Sequence, residues 1–231
     1  MERNRNKIMS ISTTGDNADA PVTPEKEGVS AIQLIDPVNL FARWFQAAKT
    51  KEINDPNAMT VATVDEDGLP SARMVLLKDF DQDGFVFYTN HSSRKGQAIY
   101  DNPAVALLFY WKSLRRQVRI EGEAVPVSEA EADAYFASRS RGSQIGAWAS
   151  LQSQPLDSRE TLKQRVADLE AQYDGKDVPR PPHWSGFRVK PKRMEFWEDM
   201  PFRLHNRIVF HADSTAKDGD VPGWRTERLY P

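Results

Sequence analysis

The sequence predicts a mainly β, α+β chain, an antiparallel β-barrel decorated by peripheral helices. Three observations carry this. Short apolar or β-branched runs follow one another through residues 59–123, and most of them are separated by tight turn signals rather than helices. Strand-like runs return after residue 184. The helix signals carry their own caps and flank groups of strands, instead of alternating with single strands as βαβ units do.

Residues 1–29 are polar, rich in Asn, Thr, Asp, Glu and Pro, and show no apolar period. They read as a disordered tail ahead of a single domain over 30–231. Asp36-Pro37 is an N-cap followed by proline in the first turn. Leu40, Phe41, Trp44, Phe45 and Ala48 then share one helical face, and the helix must stop before Asp55-Pro56. Residues 59–64 form a first strand, Asp65-Glu66-Asp67-Gly68 a turn, 73–78 a second strand, 79–84 a further turn and 85–89 a third strand. Ser92 or Ser93 caps a short helix running to Tyr100, which Asn102-Pro103 stops. Residues 105–111 and 117–123 are two more strands. Ser128 with Glu131 makes a capping box for a helix ending near Arg139. Asp157 with Glu160 opens a longer helix to about Tyr173, striped by Leu162, Val166, Leu169 and Tyr173. After a proline-rich connection, strands resume at 184–189, 194–197, 203–210 and 224–229.

Composition excludes several functions. The 31 basic and 33 acidic side chains leave a formal charge of −2, which offers no field for non-specific nucleic-acid binding. Cysteine is absent, so disulfides, thiolate nucleophiles and Cys-ligated metals are ruled out, and a cytoplasmic location is allowed. No run approaches 18 consecutive apolar residues, so no membrane-spanning helix is expected. Asp79-Phe80-Asp81-Gln82-Asp83-Gly84 opens like a calcium loop. Its twelfth position is Asn90 where a bidentate Glu is required, and its flanks read as strands, so a hairpin turn is expected and no metal.

Four clusters point to chemistry. Arg73 to Lys78 is a run of four apolar residues closed by a cation at each end, a strand that could be buried on both faces. Period two alone places Arg73 and Lys78 on opposite faces. Tyr88-Thr89-Asn90-His91-Ser92-Ser93-Arg94-Lys95 ends a strand and opens a helix, where free N–H groups favour an anion. Cations in a first turn oppose the helix dipole, so an ordinary serine cap leaves Arg94 and Lys95 unexplained. Arg139-Ser140-Arg141-Gly142-Ser143-Gln144, near Tyr135, is a basic, hydroxyl-rich turn that either complements a helix C-terminus or grips a second phosphate. In a strand, Arg203, His205 and Arg207 share one face, which reads either as a pocket wall or as a cationic solvated edge.

Taken together, these segments resemble the pyridoxine 5′-phosphate oxidase family. The matching pieces are Asp55-Pro56-Asn57-Ala58-Met59, Arg73 to Lys78, Phe87-Tyr88-Thr89-Asn90, Ser93-Arg94-Lys95 and Arg116-Gln117-Val118. They continue with Ser143-Gln144-Ile145-Gly146-Ala147-Trp148, Glu195-Phe196-Trp197, Arg203-Leu204-His205-Asn206-Arg207 and Arg228-Leu229-Tyr230-Pro231. Their order from about Asp36 to Pro231 is more specific than any piece alone. The resemblance implies a split β-barrel homodimer with FMN in the subunit interface. FMN would be held by Arg73, Met74, Val75, Leu76, Leu77, Lys78, Tyr88, Thr89, Arg94, Lys95 and Gln117, with Gln152, Ser153, Trp197 and Arg207 from the partner subunit. The substrate phosphate would meet Lys78, Tyr135, Arg139 and Ser143, and Arg203, Leu204 and His205 would sit over the substrate ring. Arg203, His205 and Asp55 are the catalytic candidates. The family's Arg-Glu-Tyr element ahead of the first helix has no equivalent in residues 20–36.

The implied activity is oxidation of pyridoxine or pyridoxamine 5′-phosphate to pyridoxal 5′-phosphate, with dioxygen reduced to hydrogen peroxide. Two other readings share the flavin cluster: a split-barrel FMN reductase acting on a different substrate, and a non-enzymatic carrier of FMN or pyridoxal phosphate.

Overall fold

The computed structural model describes residues 36–212 and 223–231. The expectation about residues 1–29 lies outside them. Helix α1 (Pro37–Lys51) starts where its local signals put it. The Asp36 carboxylate accepts from the N–H groups of Val38 and Asn39 at 2.9 and 3.0 Å, satisfying two of the orphan donors of the first turn. Asp36→Ala is expected to lower unfolding free energy by about 1 kcal/mol, read as a lower denaturant midpoint with an unchanged slope.

Strands β1 (Ala58–Val64), β2 (Pro70–Leu76), β3 (Asp79–Asp81), β4 (Gly84–Asn90), β5 (Ala104–Trp111), β6 (Arg116–Pro126), β7 (Trp184–Glu198), β8 (Asn206–Ala212) and β9 (Trp224–Arg228) form one antiparallel sheet. Its main path runs β2-β1-β5-β6-β7-β4-β3, and β8 and β9 branch from β7. The branch exists because β7 is long. Its first half pairs with β4 from Trp184 to Val189, its second half pairs with β8 from Arg193 to Glu198, and β6 runs beside both. A register shift between Glu121 and Gly122 bends this pair. A Cβ on Gly122 would lie 2.1 Å from the Lys190 carbonyl oxygen, so only glycine lets the two backbones pass. The result is a curled sheet that leaves β2 and β3 as ends, with α1 packed against its concave face.

Phe41 and Trp44 of α1 enter that concavity. Phe41 meets Phe80, Phe85 and Phe109 edge-on at 4.9 to 5.0 Å, and Trp44 meets Phe196 in the same way. Val105, Leu107, Phe109 and Trp111 line up on the inner face of β5, the period-two alternation expected of a strand with one face on a core. A second, smaller core lies under helices α3 (Glu129–Ser138), α4 (Arg141–Ala149) and α5 (Arg159–Gln172). It is built on Phe136, Ile145, Val178 and Trp184. Helix α2 (Arg94–Asp101) follows β4.

Several expectations change. Residues 79–84 are a hairpin, as expected, but they contain the short strand β3 paired to β4. β2 is not buried on both faces. It is an end strand beside β1, and Met74 and Leu76 project outward at 63 % and 38 % exposure. Helix α4 replaces the expected basic turn at 139–144. The cap of α5 is Ser158, whose hydroxyl accepts from the Thr161 N–H, rather than Asp157. The runs 184–189 and 194–197 are one strand. Strand β8 begins at Asn206, because Phe202 and Arg203 take left-handed backbone conformations (φ 57° and 60°) that break an extended chain. Arg203, His205 and Arg207 therefore do not share one strand face.

Candidate active site

Five cations and no carboxylate line a cleft of about 1060 Å³ between the sheet and the helical layer. β2 and the residue beyond its following one supply Arg73, Met74, Val75, Leu76 and Lys78. The end of β4 supplies Tyr88, Thr89 and Asn90, and the first turn of α2 supplies Arg94 and Lys95. The facing wall carries Tyr135, Arg139 and Ser143, then Gln152 and Ser153 in the turn after α4, with Trp184 beside them.

Local chemistry explains how these groups are held. Ser93 caps α2, its hydroxyl accepting from the Gly96 N–H. Gly96 is required there, since a Cβ would sit 2.3 Å from the His91 carbonyl oxygen. The turn that presents Gln152 is closed by Ser153 in a left-handed conformation (φ 72°). Lys95 Nζ donates to Thr89 Oγ1 at 2.8 Å, Ser93 Oγ at 3.2 Å and Gln152 Oε1 at 2.7 Å. Arg73 donates to the carbonyls of Val61 and Ser71 and to the hydroxyls of Thr63 and Ser71, at 2.7 to 3.2 Å. All of these acceptors are neutral.

The electrostatic consequence is a positive site without a counter-charge of its own. Burial, and then the neighbouring Arg73, pull the Lys95 ammonium down to about 8. Burial, and then Arg94, lower the Arg73 guanidinium. Arg94 reaches Asp65 at 3.5 Å, a pair too exposed to neutralise the cleft. Across the cleft, Arg139 lies over aromatic rings, its guanidinium carbon 4.7 Å from the Trp184 ring centroid and 5.6 Å from that of Phe136. Burial lowers its pKa, and its Nη1 is buried without a hydrogen-bond partner among the described residues. A buried donor without a protein partner calls for an outside group to satisfy it, and on a cation an anion does so best. Tyr88 stacks on Tyr135 at 4.0 Å and on Trp184 at 5.3 Å. Burial, and then the charge of Glu131, push the Tyr88 phenol up to about 12, so it is a neutral donor at ordinary pH.

The remaining candidates form a second cluster outside the cleft. Register places Gln117 of β6, Trp197 of β7 and Arg207 of β8 side by side. Arg207 is held by the buried Glu195 at 2.8 Å and by the Tyr230 carbonyl at 3.0 Å. The His205 ring lies 4.6 Å from Trp197, and its Nε2 is buried without a partner. Leu204 is exposed, and Arg203 lies in the short 3-10 turn before it. Leu77 points into the main core, and Asp55 is an exposed loop residue with φ 43°. Neither lines the cleft. Gln152 bonds Thr89 and Lys95 of its own chain, and Gln117 lies beside Trp197 and Arg207 of its own chain.

A family model described as pyridoxamine 5′-phosphate oxidase matches residues 45–173, and one described as the pyridoxine 5′-phosphate oxidase C-terminal dimerisation region matches residues 184–231. The chain belongs to the pyridoxamine 5′-phosphate oxidase family. A pyridoxine/pyridoxamine 5′-phosphate oxidase from Caulobacter vibrioides is 62 % identical over 196 residues, 85 % of each chain. One from Brucella abortus is 55 % identical over 211 residues, 91 % of this chain and 99 % of that one. Among solved structures, PhzG from Burkholderia lata 383, in complex with tetrahydrophenazine-1-carboxylic acid, is 34 % identical with a TM-score of 0.78, covering 85 % of this chain and 93 % of that one. A pyridoxamine 5′-phosphate oxidase-related, FMN binding protein from Nostoc punctiforme shares the fold at 16 % identity and a TM-score of 0.67, covering 87 % and 100 %.

Within this pyridoxamine 5′-phosphate oxidase family member, both nests found in the sequence, the α2 start and the Tyr135/Arg139/Ser143 group, open on one cleft. Sequence reasoning missed Ser71, Ser150 and Trp184 as lining residues. Trp184 carried a signal, an aromatic residue directly after a proline-rich connection, but it read only as a strand start. Among the described residues, no helix is long and apolar enough to cross a membrane.

Proposed function

We propose that this chain is an FMN-dependent oxidase that converts pyridoxine and pyridoxamine 5′-phosphate to pyridoxal 5′-phosphate, and that it acts as a homodimer. The observation that carries this reading is the cleft lined by five cations and, among the described residues, no carboxylate, its cations carried by two separate sets of elements. Two phosphoesters, one on the flavin and one on the substrate, are the ligands that such a pair of nests fits. Family membership and relatives named for this activity support the substrate. When bound, FMN supplies a two-electron acceptor for a hydride from the C4′ carbon and passes the pair to dioxygen, giving hydrogen peroxide.

The donor set fits the flavin. Arg73, Arg94 and Lys95, with Thr89 and Ser153, would hold its phosphate. Met74, Val75, Leu76, Tyr88 and Gln152 would flank the rest, with Leu77 fixing the strand end from the core side. Lys78, Tyr135, Arg139 and Ser143 would hold the substrate phosphate. Each charge-assisted bond contributes about 1.5–3 kcal/mol when well formed, enough for several to fix the reacting carbon in a near-attack position. Gln117, Trp197 and Arg207, with Arg203, Leu204 and His205 over the substrate ring, would come from the second copy. All but Gln117 lie within the region matched as dimerising, and none lines the cleft of its own chain. Arg203 would orient the ring. His205 holds or accepts a proton near C4′. Asp55 enters this proposal on the resemblance alone.

Mixing FMN-loaded protein anaerobically with pyridoxamine phosphate is expected to bleach the flavin absorbance, and admitting oxygen to restore it with release of peroxide. A flavin that binds but does not bleach leaves a carrier. Bleaching only by a reduced nicotinamide leaves a reductase.

A further inference from the structure

We propose that Trp184 is a positioning residue that sets the preference for a phosphorylated substrate: its indole holds the Arg139 guanidinium at the cleft and leaves the charge and the N–H donors free for the phosphate. This rests on the reading above that Arg139 holds the substrate phosphate. The contrast with other arginines carries it. Arg116 pairs with Glu198, Arg180 with Glu129 and Asp133, and Arg188 with Asp81 and Glu131. These three side chains are 11–16 % exposed, and carboxylates fix each of them in place. Arg73, in the cleft, is held by neutral oxygens. Arg139 has neither. Among the described residues no ion pair holds its guanidinium, and its Nη1 is buried without a hydrogen-bond partner. Two rings meet it instead, Trp184 at 4.7 Å and Phe136 at 5.6 Å.

The kind of partner has a chemical consequence. A carboxylate would orient the guanidinium, but it would occupy its donors and cancel its charge. An aromatic ring attracts the cation through its quadrupole and takes none of its N–H groups. Of the two rings, Trp184 is the nearer, and indole attracts a cation more strongly than phenyl does. Phe136 belongs to α3, the helix that Arg139 ends, so it cannot fix that helix end against anything else. Trp184 comes from the start of β7 and sets Arg139 relative to the sheet.

The indole is itself anchored. Trp184 is 7 % exposed and lies opposite Asn90 of β4 in the paired ladder. Its backbone N–H donates to the Pro181 carbonyl at 3.0 Å, and its carbonyl accepts from Arg180 Nη1 at 2.8 Å. Arg180 pairs in turn with Glu129 and Asp133 of α3, so the start of β7 is tied to the helix that ends at Arg139. The ring meets Phe136 edge-on at 5.1 Å and stacks on Tyr88 at 5.3 Å. Burial accounts for these ring contacts. It does not account for a cation placed over the ring with no carboxylate beside it.

The test uses full-length, FMN-loaded protein and follows turnover of pyridoxamine phosphate and of pyridoxamine. Trp184→Leu keeps an apolar side chain and removes the ring. It is expected to raise the KM for pyridoxamine phosphate about tenfold, with a far smaller fall in kcat. Its kcat/KM for pyridoxamine is expected to stay near wild type, because that substrate has no phosphate for Arg139 to bind. Trp184→Phe keeps a ring and is expected to raise KM only about threefold. In an Arg139→Ala background neither substitution should raise KM further, since the group being positioned is gone. A packing role alone would impair both substrates alike and would add to the Arg139→Ala loss. Either of those results overturns the proposal, as does an unchanged KM in Trp184→Leu. If Trp184→Leu does not fold, Trp184→Phe decides in the same way, and an unchanged KM there overturns the proposal. An unchanged KM in Arg139→Ala would overturn instead the reading on which the role rests.

Discussion

Replacing Lys95 by methionine will weaken FMN binding on the order of tenfold to a hundredfold, with little change in fold stability. The ammonium is surrounded by Thr89, Ser93 and Gln152, which accept its protons but offer no charge. Methionine fills nearly the same volume and removes only the charge. A charge-assisted bond to phosphate contributes about 1.5–3 kcal/mol, and each 1.4 kcal/mol is about tenfold in affinity. Quenching of flavin fluorescence on titration measures it directly. The pH dependence carries a sign. In the free protein Lys95 titrates at about 8 because burial and Arg73 disfavour its charge. An anion binds the protonated form, so wild-type affinity should fall as pH rises through about 8, and the Lys95→Met variant should lack that component. Stability of the ligand-free chain runs the other way. The folded value lies below the ordinary lysine value of 10.5, so the unfolded state binds more protons between about 8 and 10.5, and the Lys95 contribution grows with pH across that window. Identical pH profiles for FMN binding in the two proteins would exclude Lys95 from the phosphate site.

The features legible in the sequence were those whose physics is local. Asp36, Pro37 and the apolar spacing after them specify α1 without help from the rest of the chain. Ser93 before two cations marks a helix start and places both cations on the cleft, because the cap and the misplaced charge lie within three residues of each other. What failed was non-local or conformationally unusual. Phe202 and Arg203 occupy left-handed conformations that no glycine announces, so a strand was expected to begin at residue 203, three positions too early. Helix α4 was hidden by Gly142 and Gly146, which weaken helix propensity, and by Ser140, whose hydroxyl bonds the Ser143 side chain and no backbone N–H of the first turn. The run Met74 to Leu77 looked buried throughout, since four apolar residues in a row do not reveal that β2 ends the sheet. The grouping of Gln117 with Trp197 and Arg207 depends on the register of three strands up to 90 residues apart in sequence.

Arg139→Ala is expected to raise the KM for pyridoxamine phosphate on the order of a hundredfold while lowering kcat far less. Arg139 is a cation laid on Trp184 and Phe136, with a buried Nη1 that no group among the described residues satisfies. Leaving such a donor unpaired costs about 1–3 kcal/mol. The folded chain carries this cost, and a substrate phosphate would relieve it. The interaction is made alike in the ground state and the transition state, because the phosphate lies away from the carbon that is oxidised, and uniform binding appears in KM rather than kcat. Arg139→Lys should not rescue the loss. An ammonium cannot lie flat on the indole and present two parallel donors. The decisive comparison uses pyridoxamine without its phosphate. The variant and the wild type should handle that substrate almost equally, since the group that Arg139 recognises is missing. A variant equally impaired on both substrates would mean that Arg139 holds the fold of the cleft rather than the phosphate. Its unfolding midpoint separates these cases: truncation removes an unsatisfied buried donor along with the aromatic contact, so stability should change by much less than the binding energy does.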